Sequence, residues 1–335
     1  MVLFIVFLIA AFGLTGFLRQ YAIKKNVVDI PNARSSHTIT TPRGGGVAIV
    51  VTFLSALAYA LFVGLIDTYV GGLFFLAGAL VALVGWLDDH GHVRATLRLL
   101  VHFSSASIVV YAAGGLPALT FVGVEVDLGW LGHCLAVVAV VWVLNLFNFM
   151  DGIDGIAGVE VISVVSVIGA LLFFEFNNLN VAWLHVVLGI CTLGFLVWNF
   201  PPAKIFMGDA GSGFVGLILA GLLLLSAHVD ATLLWAWLIM LGVFIVDATY
   251  TLVRRLLNGD KVYEAHRSHA YQYASRSYGS HLVVTLGVLF INLFWLAAWA
   301  YSVVIGAVDG FLGLLVAYTP LVFLAVYYRA GQQEA

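Results

Sequence analysis

Eleven apolar runs, each near the length of a membrane-crossing helix, follow one another through this chain with short polar turns between them. A helix rising 1.5 Å per residue needs about 20 mainly apolar residues to cross a hydrocarbon core roughly 30 Å thick. The runs lie at roughly 2–18, 45–66, 69–87, 98–114, 129–147, 156–175, 181–199, 213–228, 231–253, 282–304 and 309–328. They are continuous rather than alternating with a period of two, which excludes an outer-membrane barrel. With 63% hydrophobic and only 9% charged residues among 335, and a mean hydropathy of +1.08, the chain cannot cover a water-soluble globule with polar surface. The expected fold is an all-α polytopic membrane protein of about eleven spans, forming one domain over residues 1–335.

Positive charge orients such a chain, because short cytoplasmic loops retain Lys and Arg. Threading eleven spans alternately puts all fourteen cations, from Arg19 to Arg329, on one side. The other side holds acids and polar groups: Asp67, Glu125, Asp127, Asp230 and Asp309, with Glu175 at a span end. The N-terminus is therefore expected outside and the C-terminus inside, with the first segment retained as a span because it lacks a basic n-region and a small-residue cleavage site. Segment 114–128 alternates Val with acids around Gly123 and predicts a short hairpin on the outer face. Cys134 and Cys191 fall inside spans and are expected as packed thiols. Trp130, Trp183, Trp198, Trp235 and Trp295 are read as interfacial belt residues, and Lys24 and Lys25 as anchors near anionic lipid.

Five inner segments, about 19–44, 88–98, 145–158, 199–213 and 254–281, carry nearly all the chemistry. Asp88 and Asp89 end the third run; Asp151 and Asp154 follow the fifth; Asp209 opens the eighth. Ionised groups beside hydrocarbon cost several kcal/mol unless they face water, a partner or a metal. Five hard carboxylates without a Cys or His cluster among them suit Mg²⁺ or Mn²⁺. Around them stand groups suited to phosphate: Arg98, Lys204, Arg254, Arg255, His266, Arg267 and His269, and the backbone amides of Gly44–Gly46 and Gly208–Ser212 at span starts. Taken singly, Asp-Asp is an interfacial cap, Gly-Gly-Gly a turn and Asp-Gly-x-Asp-Gly a turn motif. Their placement on one face points to phosphoryl transfer. A secondary carrier would instead place acids near the bilayer midplane within inverted repeats, and neither is visible.

Five segments in order carry a resemblance: Asp29–His37 with Thr41–Gly46, Gly85–Asp89, Asn145–Gly158, Asn199–Ser212 and His266–Gln272. Together they resemble the polyprenyl-phosphate N-acetylhexosamine-1-phosphate transferases, and His266-Arg-Ser-His-Ala-Tyr-Gln272 resembles the branch that initiates O-antigen, part of lipopolysaccharide biosynthesis. The resemblance implies transfer of sugar 1-phosphate from a UDP-N-acetylhexosamine to undecaprenyl phosphate, with Mg²⁺ (or Mn²⁺) as cofactor, at the cytoplasmic face of the bacterial inner membrane. It implies the lipid bilayer and the two substrates as partners, and no nucleic acid. UDP-GlcNAc, UDP-GalNAc, UDP-FucNAc and UDP-QuiNAc remain open as donors.

Roles follow from the same matches. Asp209 is expected as the principal metal ligand, with Asp88 and Asp151 beside it. Asp88 and Asp89 match tandem acids for which a base and a covalent nucleophile are alternatives; direct attack by the lipid phosphate is favoured here, because that oxygen is already nucleophilic near neutral pH. Asn148, Asp151 and Asp154 match Asn-x-x-Asp-Gly-x-Asp-Gly, implying metal-water and uridine or ribose contacts. Asn145 and Asn199 lie in matched segments and are expected to contact substrate. Phe206 would stack on uracil; His266, Arg267 and His269 would bind the diphosphate, Arg98 the lipid phosphate or UMP, and His37 would stand beside the site. Asp247, two turns before Arg254, either pairs with that arginine or lines the sugar pocket. Gly71, Gly72 and Gly78 could serve contacts within the chain or in a homodimer.

Overall fold

The computed structural model describes residues 2–31, 36, 37, 39–91, 93–260 and 266–332. Arg34 and Lys261 lie outside the described residues. Almost every apolar run becomes a helix, because in hydrocarbon only a helix satisfies each backbone N–H and C=O within the segment. In order these are α1 (Val2–Lys25), α2 (Val47–Phe62), α3 (Thr68–His90), α4 (Ala95–Ala112), α5 (Gly129–Met150), α6 (Ile156–Phe174), α7 (Leu179–Asn199) and α8 (Asp209–Ala227). There follow α9 (Ala231–Met240), α10 (Gly242–Leu257), α11 (Ala270–Tyr278), α12 (His281–Phe290), a π-helical turn (Ile291–Leu296), α13 (Ala297–Val304) and α14 (Gly310–Tyr327).

Among the described residues, nine helices are long and apolar enough to cross a membrane, α12 to α13 counting as one, and α9 with α10 makes a tenth bent by 67°. The shorter α2, with 16 residues, completes the eleven expected runs. The run 231–253 is thus not one straight span. It breaks at Leu241, and Gly242 lets the chain pass the ring of Tyr318, which a Cβ there would meet at 3.0 Å.

Three acids of the opposite turns serve as helix caps. Asp67 accepts the Val70 N–H at 3.0 Å, Asp230 that of Thr232 at 2.8 Å and Asp309 that of Phe311 at 3.0 Å. Each satisfies a backbone donor that a helix start would otherwise leave unpaired. The expected hairpin is present, with β3 (Leu119–Phe121) antiparallel to β4 (Val124–Val126). Trp235 corrects its reading as a belt residue: it is buried, donates from Nε1 to the Thr120 carbonyl at 3.1 Å, and packs edge-on against Phe121. Cys191 is buried as expected, while Cys134 is exposed on its helix surface.

The centre of the bundle is α8, which is buried almost throughout and packs against α3 and α5. Small residues permit the approach. A Cβ at Gly85 would stand 2.6 Å from the backbone of Ala210, one at Gly46 2.5 Å from the Cα of Gly211, and one at Gly216 2.7 Å from the Cα of Leu144. Gly71 and Gly78 likewise serve packing inside the chain, against Leu61 and Phe214, while Gly72 has open space. These contacts bring the ends of α3 and α5 beside the start of α8. A short strand β1 (Val28–Asp29) pairs with β2 (Thr41–Pro42) next to them.

Candidate active site

The three acidic clusters meet at one end of the bundle, around a cavity of about 470 Å³. Asp89, Asn148, Asp151, Asp154, Asn199, Phe206, Asp209, His266 and His37 all line it. An adjoining cavity of about 570 Å³ shares His37, Asp154 and Phe206 with it.

Asp209 begins α8 and is the most open of three neighbouring acids, its side chain 34% exposed against 8% for Asp88 and 1% for Asp89. Its Oδ1 accepts from Asn148 Nδ2 at 2.7 Å, and the same amide reaches Ser212 Oγ at 3.2 Å. Asp88 accepts the Val93 N–H at 2.9 Å and forms an ion pair with Arg98, whose Nη1 also lies 3.6 Å from Asp209 Oδ2. One guanidinium therefore spans two carboxylates and holds them as neighbours.

Asp89 has a different job. Its carboxylate accepts the N–H groups of Asp209 and Ala210 at 3.1 and 3.3 Å, while Arg43 donates to its carbonyl at 2.6 Å. An acid from α3 thus caps the start of α8, where the helix dipole favours negative charge. This corrects the expectation of a free phosphate cradle there. Four further amides of the two segments are also taken: those of Gly211 and Ser212 by the Gly208 carbonyl, and those of Gly45 and Gly46 by the carbonyls of Phe206 and Met207.

The turn between α5 and α6 carries Asp151 and Asp154. Burial pushes the Asp151 carboxyl well above its ordinary value, and the acids Asp209, Asp89 and Asp154 push it further. Burial also opposes ionisation of Asp154, but bonds from His281 and the Ala203 N–H, the latter at 3.0 Å, outweigh it and hold this carboxyl below the usual range. Asn199 is a tie across this wall: it accepts the Gly155 N–H at 3.0 Å and donates to the Ile205 carbonyl at 3.0 Å. Asn145 donates to the Val141 carbonyl at 2.7 Å and lines a smaller cavity behind Asp209 rather than the main one.

Phe206 meets the ring of His37 edge-on, centroids 4.9 Å apart, and faces both large cavities. His266 lines the main cavity, its Nδ1 3.0 Å from Ser268 Oγ. Burial brings its pKa down to about 3, helped by the charges of His269 and Arg255. His269, expected on the diphosphate, is buried instead with Nδ1 3.2 Å from Asp247. Asp247 does not pair with Arg254, which donates to the Ala330 carbonyl; it caps α11 through the N–H groups of Ala270 and Tyr271, both at 2.9 Å, and lines a separate cavity of about 260 Å³. Arg267 is half-buried beside this segment, its carbonyl accepting from Arg276 at 3.3 Å.

Among the described residues, no three Asp, Glu, His or Cys side chains form a ready-made metal cage. A cage is not what Mg²⁺ requires, since it commonly takes one or two carboxylates and fills its octahedron with water and substrate phosphate. Asp209 opens to the cavity and Asp151 faces three acids with no cation bonded to it among the described residues, an excess of negative charge that a divalent ion would relieve. The donor set fits such an ion at these two residues, whereas Asp88 is already engaged by Arg98.

Residues 72–227 match the family model described as glycosyl transferase family 4. A decaprenyl-phosphate N-acetylglucosaminephosphotransferase of Mycolicibacterium smegmatis is 31% identical over 293 residues, covering 76% of this chain and 71% of that protein. The chain belongs to the polyprenyl-phosphate N-acetylhexosamine-1-phosphate transferases. A Bacillus subtilis protein named "Probable undecaprenyl-phosphate N-acetylglucosaminyl 1-phosphate transferase" is similar over 97% of this chain and 90% of its own, at 29% identity. The undecaprenyl-phosphate alpha-N-acetylglucosaminyl 1-phosphate transferase of Salmonella typhi shares 27% over 303 residues, 86% of this chain and 77% of its own.

The site of this transferase includes residues that the sequence reading did not single out. His281, the first residue of α12, has Nε2 3.1 Å from the Ser36 carbonyl and Nδ1 3.1 Å from Asp154 Oδ1, so it bridges two walls of the cavity. Arg43 and Gln272, which lie inside the matched segments Thr41–Gly46 and His266–Gln272, also line it. His281 sits at the first polar position before an apolar run, a place that resembles any helix start, so its spacing carries no signal of its own.

Proposed function

We propose that this transferase moves N-acetylhexosamine 1-phosphate from a UDP-sugar to undecaprenyl phosphate, giving undecaprenyl-diphospho-sugar and UMP. The observation that carries the reading is the convergence of His37, Asp89, Asp151, Phe206, Asp209 and His266 from five distant segments around one cavity, with the Arg98–Asp88 pair beside Asp209. The names of the relatives favour N-acetylglucosamine as the sugar. UDP-FucNAc and UDP-QuiNAc are the alternatives, through the resemblance of His266–Gln272 to the O-antigen branch. The cation-rich turns support a cytoplasmic active site in the inner membrane, where a UDP-sugar is available.

In the reaction an oxygen of the lipid phosphate attacks the sugar-bearing phosphorus of UDP-sugar, the bond to the bridging oxygen breaks, and UMP leaves with that oxygen. One phosphoanhydride replaces another, so the protein mainly has to position two anions in line and neutralise them. Arg98, held by Asp88 and Asp209, would bind the lipid phosphate or the departing UMP. His266 would donate to the diphosphate, and Phe206 would stack on the uracil. Asp209 and Asp151 would hold Mg²⁺, which supplies charge neutralisation to the phosphates.

Purified protein in nanodiscs with undecaprenyl phosphate, Mg²⁺ and a panel of UDP-sugars provides the test, with UMP release and labelled lipid as readouts. UMP from one UDP-N-acetylhexosamine with matching lipid product is expected. Counterflow of a sugar nucleotide in vesicles without UMP from any donor would sink the reading.

A further inference from the structure

Behind Asp209, away from the main cavity, lies a void of about 30 Å³ lined by Arg98, His102, Asn145, Asn148, Asp209 and Gly213, among others. Arg98 and His102 stand one turn apart on α4, so their side chains emerge on the same face. Two polar atoms of these residues are buried without a hydrogen-bond partner among the described residues: Arg98 Nε and His102 Nδ1. Asn145, on the facing helix α5, spends its N–H on the Val141 carbonyl and has its own carbonyl oxygen left.

Buried polar groups in native proteins are almost always paired, through water where protein cannot reach. A void of this size has room for one water, and that water needs two to four polar partners to reside there. Arg98 Nε–H is a donor that asks for an acceptor, and His102 Nδ1 is a polar atom of a second residue that lines the same void. A single bridging water satisfies both, and Asn145 offers it a third bond.

We propose that His102 is a positioning residue: through one bound water it holds the Arg98 side chain at Nε, leaving Nη1 aimed at Asp88 and Asp209. The inference deepens the proposed reaction and rests on Arg98 acting there as the cation for phosphate. A long guanidinium tethered only at its tip swings about its stem; a second tether at Nε fixes the plane in which Nη1 meets an incoming phosphate. His102 itself touches no substrate.

Two variants and one map decide the matter. In nanodiscs with UDP-GlcNAc and undecaprenyl phosphate, His102→Leu is expected to lower kcat about tenfold or more, with the KM for UDP-GlcNAc changed less than about twofold. His102→Gln, which keeps a polar atom for the water, should recover most of that loss. Equal activity of both variants, whether normal or low, overturns the proposal, as does a His102→Leu loss that appears in KM alone. Should the unaltered protein release no UMP from any UDP-N-acetylhexosamine of the panel, the proposed reaction fails by itself. His102 is then judged by a high-resolution cryo-EM map: density bridging Arg98 Nε and His102 Nδ1 supports the tether, and an empty void refutes it.

Discussion

The carboxylate of Asp89 holds the backbone of Asp209, taking its N–H at 3.1 Å and that of the next residue, Ala210, at 3.3 Å. The tandem acids at the end of α3 therefore divide their labour. Asp88 meets the guanidinium of Arg98, and Asp89 fixes the helix that carries Asp209. Asp89→Asn keeps one acceptor and turns an amide toward a backbone donor, so it is expected to lower stability by about 1–3 kcal/mol. Asp88→Asn should leave the melting temperature nearly unchanged while reducing kcat. Thermal melts and UMP release of the two variants in parallel check this split; equal melting with equal loss of turnover would contradict it.

Asp209→Asn is the direct test of the metal assignment. The amide keeps the shape and can still accept from Asn148, but it loses the charge. At saturating Mg²⁺, kcat is expected to drop about a hundredfold, with an apparent Mg²⁺ requirement shifted to higher concentration. Near-full activity across a Mg²⁺ titration would remove Asp209 from that role.

Gly85→Ala tests whether the spacing of α3 and α8 sets the site. The added Cβ would meet the Ala210 backbone at 2.6 Å, and backbone cannot rotate away as a side chain can. The helices must part, at a cost of about 1–3 kcal/mol, and Asp89 then loses reach of the two N–H groups. Activity should fall together with stability. Gly72→Ala on the same helix, with open space around it, is the matched control and should alter neither.

His266 gives a pH prediction. Its folded pKa of about 3 lies below the ordinary 6.5 because burial, then His269 and Arg255, disfavour the charged ring. The unfolded chain therefore binds the extra proton first as pH falls, so stability declines from about pH 6.5 downward and levels off near pH 3. Melting curves between pH 7 and pH 4 should show a smaller acid loss for His266→Asn than for the unaltered protein. The acid limb of kcat/KM, which reports the free enzyme, should stay in place in that variant.

Much of the fold can be read directly from the residues. Almost every apolar run has its helix, and the hairpin around Gly123 lies where alternation of Val with acids put it, because both patterns are local and periodic. The convergence of Asp88, Asp151 and Asp209 is also legible, since the side on which each run ends follows from counting spans. Partner choice is not. Whether Asp89 caps α8 or faces substrate depends on a contact 120 residues away, and the burial of His269 depends on Asp247 from α10, 22 residues earlier. The bend at Leu241 and the helix α11 inside an irregular polar loop come from packing that no hydrophobic period records. Asn199 reads as a polar residue in a matched segment, yet its two bonds serve the backbone of the neighbouring turns.

Because the amides at the start of α8 are spent within the protein, an anion arriving in the cavity meets side chains in place of a rigid nest of N–H groups. The anchored guanidinium of Arg98 and the imidazole of His266 meet the phosphate as separate groups, so each contact can be released on its own. A grip of that kind trades tightness for ease of release, which suits a catalyst whose lipid product must depart through the bilayer before another carrier can dock.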